Sequence, residues 1–209
     1  MAGIRRVADT QLPTRWGVFR ALAYEREVAG GARRIETAVA LLMGDGGGVP
    51  LVRIHSQCFT GEILGSLRCD CGGQLEIAMQ AIARAGRGLV IYEYQEGRGI
   101  GLAAKLQAYA LQDAGLDTVD ANTTLGFDDD ERHYGVAARM LEQLGCTRVV
   151  LLTNNPAKLD GLTKAGIEIA SRIPLDAPIN ADNLRYMTAK AARTGHQFDH
   201  LTALLADQP

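Results

Sequence analysis

The spacing of apolar residues changes near residue 70, and this change limits what the chain can fold into. Before it, three short strand-like runs occur at Gly17–Leu22, Thr37–Leu42 and Val49–Ile54. The second and third runs flank a glycine-rich turn at residues 44–48, a composition suited to a β-hairpin. The chain up to residue 70 is therefore predicted to form antiparallel strands.

After residue 70, helical and strand-like patterns alternate. The predicted helices are Gln74–Ala85, Leu102–Ala114, Glu131–Leu144, Pro156–Ala165 and Asp182–Ala192, and the predicted strands are Leu89–Tyr94, Arg148–Leu152 and Ile167–Ala170. This alternation predicts an α/β fold, a mixed sheet flanked by helices, with the antiparallel β portion at its N-terminal side. No internal repeat or long linker interrupts the pattern, so residues 1–209 are predicted to form a single domain.

Charge and hydropathy exclude several classes of function. The formal net charge of -2 lacks the basic excess with which nucleic-acid-binding proteins neutralise phosphates. No window approaches the roughly 18 apolar residues of a membrane helix, and Met1–Ala21 contains no apolar stretch of signal-peptide length. The sequence predicts a cytoplasmic protein that binds neither nucleic acid nor membrane. Its four cysteines are then expected to be reduced, as metal ligands or buried thiols.

Three of the cysteines, Cys58, Cys69 and Cys71, have the spacing C-x10-C-x-C. Three thiolates on one metal ion leave a fourth tetrahedral position for water, which distinguishes catalytic zinc from closed structural zinc. Zinc lowers the pKa of such a water toward neutrality and so supplies a nucleophile. Cys71 stands just before a predicted helix and Arg68 is adjacent in sequence, and both the helix dipole and the cation favour thiolates.

The cysteine spacing alone leaves three interpretations open. It fits an open catalytic zinc site, a structural zinc site completed by His55 or another ligand, and a group of buried thiols without metal. The fourth cysteine, Cys146, lies far along the chain at the end of a predicted helix. It is expected to contribute to packing.

Polar clusters follow the predicted strands, and open α/β sheets bind ligands at such edges. The run Arg53–Gln57 leads from a strand into the first cysteine, and Gln95–Gly101 joins a strand to a helix. The glycines of the second cluster, together with Arg98, suit an anion. In a third cluster, Thr153 and Lys158 suit either phosphate contact or the cap of the next helix.

The acidic residues at 128–131 begin the predicted helix Glu131–Leu144, where carboxylates ordinarily cap the helix and complement its dipole. Arg132 would lie in the first turn, where a cation is electrostatically disfavoured. We therefore expect Asp128, Asp129 or an anionic ligand to hold the Arg132 side chain.

Together these motifs resemble the GTP cyclohydrolase II family, in family order and over about residues 13–200. The matching stretches are Arg53-Ile-His-Ser-Gln-Cys58, Ser66-Leu-Arg-Cys-Asp-Cys-Gly-Gly-Gln-Leu-Glu76, Gln95-Glu-Gly-Arg-Gly-Ile-Gly-Leu102, Ala108-Tyr-Ala-Leu-Gln-Asp113, Asp117-Thr-Val-Asp-Ala-Asn122, Leu125-Gly-Phe127, Asp130-Glu-Arg132 and Leu151-Leu-Thr-Asn-Asn-Pro156. The resemblance implies a GTP cyclohydrolase II-like fold and favours the catalytic-zinc interpretation.

The resemblance also implies a reaction, the first committed step of riboflavin biosynthesis. GTP would be hydrolysed to formate, pyrophosphate and 2,5-diamino-6-ribosylamino-4(3H)-pyrimidinone 5′-phosphate, with one zinc ion per subunit and Mg²⁺ bound to the triphosphate. The family mechanism assigns Arg132 as a nucleophile at the α phosphorus and Asp130 as its proton acceptor. Stabilisation of the phosphoryl transition state is a more ordinary role for arginine, whose pKa lies above 12.

The residues implied by the resemblance are Cys58, Cys69 and Cys71 as metal ligands, Tyr109, Asp130 and Arg132 in catalysis, and Arg53, Ile54, His55, Ser56, Gln57, Gln74, Glu96, Gly97, Arg98, Thr118, Thr153 and Lys158 in GTP binding. Tyr109 is expected near the reacting ring, and Glu96 carries a carboxylate of the kind that pairs with guanine. Gln57 stands where many relatives have Glu.

Two rival functions remain open from the sequence. One is a GTP cyclohydrolase II paralogue that retains the formyl group or serves another pathway that begins from GTP, although Tyr109 favours the full reaction. The other is a non-catalytic module stabilised by zinc. By resemblance we expect a homodimer, and no fused butanone-phosphate synthase domain, since only 57 residues precede the first cysteine.

Overall fold

The computed structural model describes residues 3–28, 34–45, 48–128, 130 and 132–198. Seven strands in these ranges form one sheet in the order β1-β2-β3-β5-β4-β6-β7. The strands are β1 (Ile4–Thr14), β2 (Gly17–Val28), β3 (Arg34–Met43), β4 (Leu51–Ser56), β5 (Gly88–Glu93), β6 (Arg148–Leu152) and β7 (Glu168–Ile173). The helices are α1 (Phe59–Glu62), α2 (Cys71–Ala85), α3 (Leu102–Asp113), α4 (Thr118–Thr124), α5 (Gly135–Gln143), α6 (Pro156–Lys164) and α7 (Leu184–Thr194). The α/β prediction is confirmed.

Strands β2 and β3 pair antiparallel, as predicted for the N-terminal part of the chain. Strand β1 also pairs antiparallel with β2, and β3 pairs antiparallel with β5. The sequence does not predict β1. Its first residue, Ile4, is buried, but almost every later residue is exposed. An edge strand whose two faces are both exposed to solvent has no alternation of apolar and polar residues, so its sequence does not indicate a strand.

The predicted hairpin between β3 and β4 is wrong, because β5 lies between these two strands. Strand β4 pairs parallel with β5 on one side and with β6 on the other. Four successive residues of β4, at positions 52–55, are buried, as expected for an interior strand covered on both faces. The glycine-rich turn therefore lets the chain reverse without making its two flanking strands neighbours.

The sheet is covered on both faces by helices. Helices α5 and α6 pack on one face, where Ala137, Met140 and Leu162 meet strand residues such as Leu151. Cys146 is partly buried against this cluster, which confirms its predicted packing role. On the opposite face, α2 supplies Ala78, Met79 and Ile82 to a second cluster. No helix in the described ranges has the length and apolar character needed to span a bilayer.

Strands β5, β4 and β6 are parallel, so the three loops that follow them lie side by side at the carboxyl ends of the strands. The connection from β4 to β5 carries α2 over one face, and the connection from β5 to β6 carries α5 over the other. The connections that follow β4 and β5 therefore cross opposite faces of the sheet. Such a switch of strand order opens a crevice at the carboxyl ends of the strands, which is where open α/β sheets bind ligands.

The predicted helix Glu131–Leu144 is wrong at its start, because α5 begins at Gly135. Arg132 therefore lies in the loop before the helix rather than in its first turn. Its side chain pairs with Asp130 rather than with the predicted Asp128; the other predicted residue, Asp129, lies outside the described residues. The acidic run gave a false helix-start signal, and its Asp130 carboxylate pairs with Arg132 instead of capping a helix.

Candidate functional site

A cleft opens at the carboxyl ends of β4, β5 and β6. Its lining includes the predicted residues Arg53, His55, Ser56, Gln57, Cys58, Cys69, Cys71, Gln74, Glu96, Gly97, Arg98, Tyr109, Arg132, Thr153 and Lys158. These residues come from parts of the sequence that are about 100 positions apart. The sheet topology thus brings the separate polar clusters of the sequence into one cavity.

Cys58, Cys69 and Cys71 form a compact group in the cleft. Their sulfur atoms all lie within 4.8 Å of one another, and the Cys58 and Cys69 sulfurs are 3.6 Å apart. Tetrahedral zinc with Zn–S bonds of about 2.3 Å would hold sulfurs about 3.8 Å apart. A Cβ atom at Gly61 would lie 2.9 Å from the Cys69 sulfur and 3.3 Å from that of Cys58, so the glycine leaves room for the group. The residues fit a zinc ion.

Lys105 adds a positive charge beside the thiols. Its Nζ atom donates to Cys58 Sγ at 3.1 Å and to Glu96 Oε1 at 2.8 Å. The pKa of Cys58 is held well below its ordinary value by hydrogen bonds from the other two thiols and by the Lys105 ammonium. An anionic sulfur is the form that binds metal. Sequence reasoning did not assign Lys105 to the site, although its position four residues before Tyr109 was a signal.

Glu62 is a second residue that sequence reasoning missed. Its carboxylate accepts hydrogen bonds from the Cys58 backbone amide at 2.7 Å, from the Tyr92 hydroxyl at 2.7 Å and from His55 Nε2 at 2.8 Å. The side chain is 5% exposed. Glu62 therefore fixes the loop that carries the first cysteine, and its location four residues after Cys58 was the available signal.

Strand β4 presents polar atoms that lack a partner among the described residues. These atoms are Arg53 Nε, His55 Nδ1 and Ser56 Oγ, and all three side chains line the cleft. Buried polar groups are normally hydrogen-bonded, so unpaired ones at a cleft indicate a ligand or water. Burial lowers the pKa of His55 to about 4, which leaves the imidazole neutral at neutral pH. Gln74, from α2, accepts from Arg53 at 2.6 Å.

The turn after β5 is left-handed. Gly97 has φ 61° and Arg98 has φ 63°, a conformation that costs an ordinary side chain about 1 kcal/mol or more. At Gly97 a Cβ atom would approach that of Lys105 to 3.0 Å. Glu96 accepts from the Phe59 amide at 2.6 Å and from Lys105, so its carboxylate ties the turn to the cysteine loop. Any contact between Glu96 and a base must use its remaining lone pairs.

Arg132 and Asp130 form a two-pronged ion pair beside the cleft. Arg132 Nε donates to Asp130 Oδ1 at 2.7 Å, and its Nη2 atom donates to Oδ2. Burial acts to lower the pKa of Arg132, but the hydrogen bonds to Asp130 outweigh it and raise that pKa. Arg132 lines the cleft, whereas Asp130 is not among the lining residues and contacts the cleft only through its ion pair with Arg132. The guanidinium is thus charged, oriented and open to an anion.

A family model described as GTP cyclohydrolase II matches residues 5–174. The chain belongs to the GTP cyclohydrolase II family. It is 48% identical over 202 residues to GTP cyclohydrolase-2 of Actinobacillus succinogenes, a match that covers 96% of this chain and 91% of the relative. It is 51% identical over 195 residues to GTP cyclohydrolase-2 of Cronobacter sakazakii, covering 92% of this chain and 96% of the relative. The chain is accordingly an enzyme, a hydrolase.

A longer relative carries the name of the pathway. Riboflavin biosynthesis protein RibBA of Mycobacterium avium is 50% identical to this chain over 196 residues. The match covers 92% of this chain and 46% of that relative. Nearly the whole of this chain thus corresponds to about half of a longer relative.

The remaining predicted residues differ in how they meet the cleft. Lys158 lines it, and its Nζ atom donates to the Ile54 carbonyl at 2.8 Å. Ile54 itself is a core residue with a fully buried side chain, so only its backbone reaches the site. Thr153 Oγ1 accepts from the Asn155 amide at 3.0 Å, and Asn155 caps α6. The side chain of Thr118 lies outside the described residues.

Helix α7 contributes side chains that sequence reasoning did not assign. Tyr186 and Lys190, together with His196 after the helix, line the cleft. Each is separated by more than 100 residues from the three cysteines of the cleft. Nothing in their local sequence distinguishes them from an ordinary surface helix, so only the tertiary structure reveals them.

Glu93, at the end of β5, does not line the cleft and is 2% exposed. Neither carboxylate oxygen accepts a hydrogen bond of good geometry from a described residue. Burial raises the pKa of Glu93 to about 7, a rise that is limited by Lys158, the Ala137 amide, Arg132 and Arg26. The carboxyl group therefore titrates near neutral pH.

Glu93→Gln is expected to stabilise the protein above neutral pH. Because folding raises this pKa from 4.5 to about 7, wild-type stability declines as the pH rises through that window. Glutamine has no charge to bury. The difference in unfolding free energy should therefore increase in favour of the variant by about 2–3 kcal/mol between about pH 5 and about pH 8.5. Urea denaturation at both pH values measures it.

The matched control is Glu142→Gln on the exposed side of α5, which should show the same difference from wild type at both pH values. A pH-independent difference for Glu93→Gln would show that Glu93 is already ionised across this range.

Proposed function

We propose that the chain is a zinc-dependent GTP cyclohydrolase II of riboflavin biosynthesis. It hydrolyses GTP, opens the imidazole ring of guanine, and releases formate and pyrophosphate to give 2,5-diamino-6-ribosylamino-4(3H)-pyrimidinone 5′-phosphate. The observation that carries this proposal is that three thiols fit for zinc and a charged, oriented Arg132 face the same cleft. A structural metal site needs no such cleft, so this arrangement argues against a module stabilised by zinc alone.

Cys58, Cys69 and Cys71 would hold the zinc ion. When bound, zinc supplies the Lewis acidity that makes water nucleophilic near neutral pH, as attack on the weakly electrophilic C8 of guanine demands. Lys105, 3.1 Å from Cys58 Sγ, compensates part of the negative charge of three thiolates. Glu62 holds the Cys58 amide and so keeps the first of these ligands in place.

The triphosphate would bind to basic side chains of the cleft, Arg98, Arg132 and Lys158. Burial and the nearby Arg53 and Arg132 lower the pKa of Lys158, and a bound polyanion would favour its protonated form. Arg132 is held by Asp130, and the raised pKa keeps its guanidinium protonated. Such a group stabilises negative charge on the reacting phosphorus oxygens more readily than it attacks phosphorus itself. We propose this electrostatic role for Arg132, with Asp130 as its positioning residue, and Mg²⁺ entering with the triphosphate.

Tyr109 lies near the thiols and would act at the purine ring. Its hydroxyl is 3.5 Å from Thr60 Oγ1, and the Arg68 guanidinium lies 5.0 Å from its ring centre. Burial raises the pKa of Tyr109, so the hydroxyl remains protonated at neutral pH. It can then donate to the opened ring or orient a second water, which supports the release of formate after ring opening.

The test is to incubate the purified, zinc-loaded protein with GTP and Mg²⁺ and to measure formate and pyrophosphate separately. We expect the two products in equal amounts, with none formed by protein treated with a zinc chelator. Pyrophosphate without stoichiometric formate would instead identify a paralogue that retains the formyl group. Neither product from metal-loaded, folded protein would refute the proposed reaction.

A further inference from the structure

The C-terminal helix α7 lies beyond the residues that the family model matches, which end at residue 174. Even so, its Lys190 lines the cleft and is almost completely buried, with 9% of its side chain exposed. A lysine in such a position needs a partner for its charge, because an unpaired buried ammonium is costly. The identity of that partner is informative.

Lys190 Nζ lies 2.8 Å from Asp70 Oδ1, and the Asp70 side chain is completely buried. Asp70 stands between Cys69 and Cys71 and is the N-cap position of α2. The ion pair therefore attaches the C-terminal helix directly to the turn that carries two of the three thiols. It spans 120 residues of sequence.

The second oxygen of Asp70 is also engaged. Asp70 Oδ2 accepts from Gln74 Nε2 at 2.5 Å, and Gln74 Oε1 accepts from Arg53 Nη2 at 2.6 Å. Arg53 Nη1 in turn donates to the Leu152 carbonyl on β6 at 3.0 Å. A continuous buried chain of hydrogen bonds thus runs from α7 through the cysteine turn to β4 and β6.

Two aromatic rings lie close to the Lys190 ammonium. Its nitrogen lies 4.9 Å from the ring centre of Tyr186 and 5.9 Å from that of Phe198. Both distances are within the range of cation–π attraction. With the Asp70 side chain fully buried and the Lys190 side chain 9% exposed, the ion pair has little contact with water, which strengthens it.

We propose that Lys190 is a positioning residue of the metal site, which holds Asp70 so that the Cys69–Cys71 turn keeps its thiols directed at the metal. The proposal rests on the proposed function only in that the cysteines hold a divalent metal. Outer partners of this kind typically change metal affinity by about 10–100-fold.

The test is a titration of the metal-free, full-length protein with Co²⁺, whose absorption reports both the number of thiolates and the geometry. Lys190→Met is expected to weaken Co²⁺ binding by at least about tenfold and to change the cobalt spectrum. Lys190→Arg, which can still pair with Asp70, should remain within a few-fold of wild type. Lys164→Met, an exposed lysine at the end of α6, is the matched control and should bind as wild type does.

Loss of Lys190 also leaves the buried Asp70 carboxylate without its cation, so the single variant could unfold. The double variant Asp70→Asn with Lys190→Met removes both charges and is expected to fold with near wild-type stability. If the pair positions the turn, Co²⁺ affinity in this folded double variant stays about tenfold or more below wild type.

The outcomes separate the two proposals. Wild-type affinity and an unchanged cobalt spectrum in Lys190→Met, or in the double variant if the single one unfolds, would overturn the role of Lys190 and leave the proposed function intact. No thiolate-to-cobalt absorption in the wild-type protein would instead remove the metal site on which both proposals depend.

Discussion

Replacing Cys58 with serine is expected to abolish zinc binding and reduce formate release by about 10³-fold or more. The Cys58 sulfur lies 3.6 Å from that of Cys69 and accepts from Lys105, so it is a central member of the group. A serine hydroxyl does not ionise near neutral pH and is a harder donor than a thiolate. Lewis acidity contributes several kcal/mol to hydrolysis, and each 1.4 kcal/mol corresponds to about tenfold in rate.

The measurements are metal content after dialysis and the rate of formate release from GTP. Cys146→Ser is the matched control, because this fourth cysteine packs against the α5 side of the sheet, where its sulfur contacts the Leu144 carbonyl at 3.7 Å. It should keep one zinc ion per chain and wild-type turnover. One zinc ion per chain in a folded, active Cys58→Ser protein would disprove the assignment of the cysteines as metal ligands.

Sequence patterns predicted the interior of this fold better than its edge. The continuously apolar run of β6 and the periodic apolar face of α2 both reflect burial, which selects residue type directly. By contrast, β1 is almost fully exposed, so its sequence carries no comparable signal. The false hairpin has a different cause: strand pairing is a non-local property, and a turn composition reports only that the chain reverses.

The site was predictable where one short segment carries several functional groups. The three cysteines, the β4 side chains and the glycine turn all stand in compact motifs, and the structure brings them to one cleft. Glu62, Lys105 and Lys190 were not assigned, because charged residues on helices are usually solvated. Their burial depends on which elements pack together, and a single sequence does not state that.

The Asp130–Arg132 pair shows the same limitation at the scale of a loop. The acidic run before α5 resembles a helix cap, and the helix nevertheless begins only at Gly135. The backbone amide of Arg132 donates to Asp130 Oδ1 at 3.1 Å, in addition to the two guanidinium contacts. The carboxylate thus stabilises a local turn and orients the arginine, a use that residue type alone does not distinguish from capping.

Arg132→Ala is expected to lower pyrophosphate release by about 10²–10³-fold while the protein stays folded and keeps its zinc. The reason is the loss of a preorganised cation that, in the proposed function, faces the phosphoryl group, a contribution of about 3–4 kcal/mol. Arg132→Lys keeps a positive charge but loses the planar fork that Asp130 orients, so an intermediate rate is expected. Single-turnover measurements of pyrophosphate and formate, with metal content alongside, quantify both variants.

The control for Arg132 is Arg139→Ala on the exposed side of α5, which should retain wild-type rates. Added guanidinium ion and a search for a covalent intermediate together decide between the two roles of Arg132. Electrostatic stabilisation predicts that free guanidinium partly restores Arg132→Ala and that no protein-bound phosphoryl intermediate accumulates. A covalent adduct at Arg132 in the wild-type protein, trapped by rapid quenching, would instead establish the arginine as a nucleophile. The strong pairing with Asp130 argues for the first result, since it stabilises the protonated guanidinium, which has no lone pair available for attack.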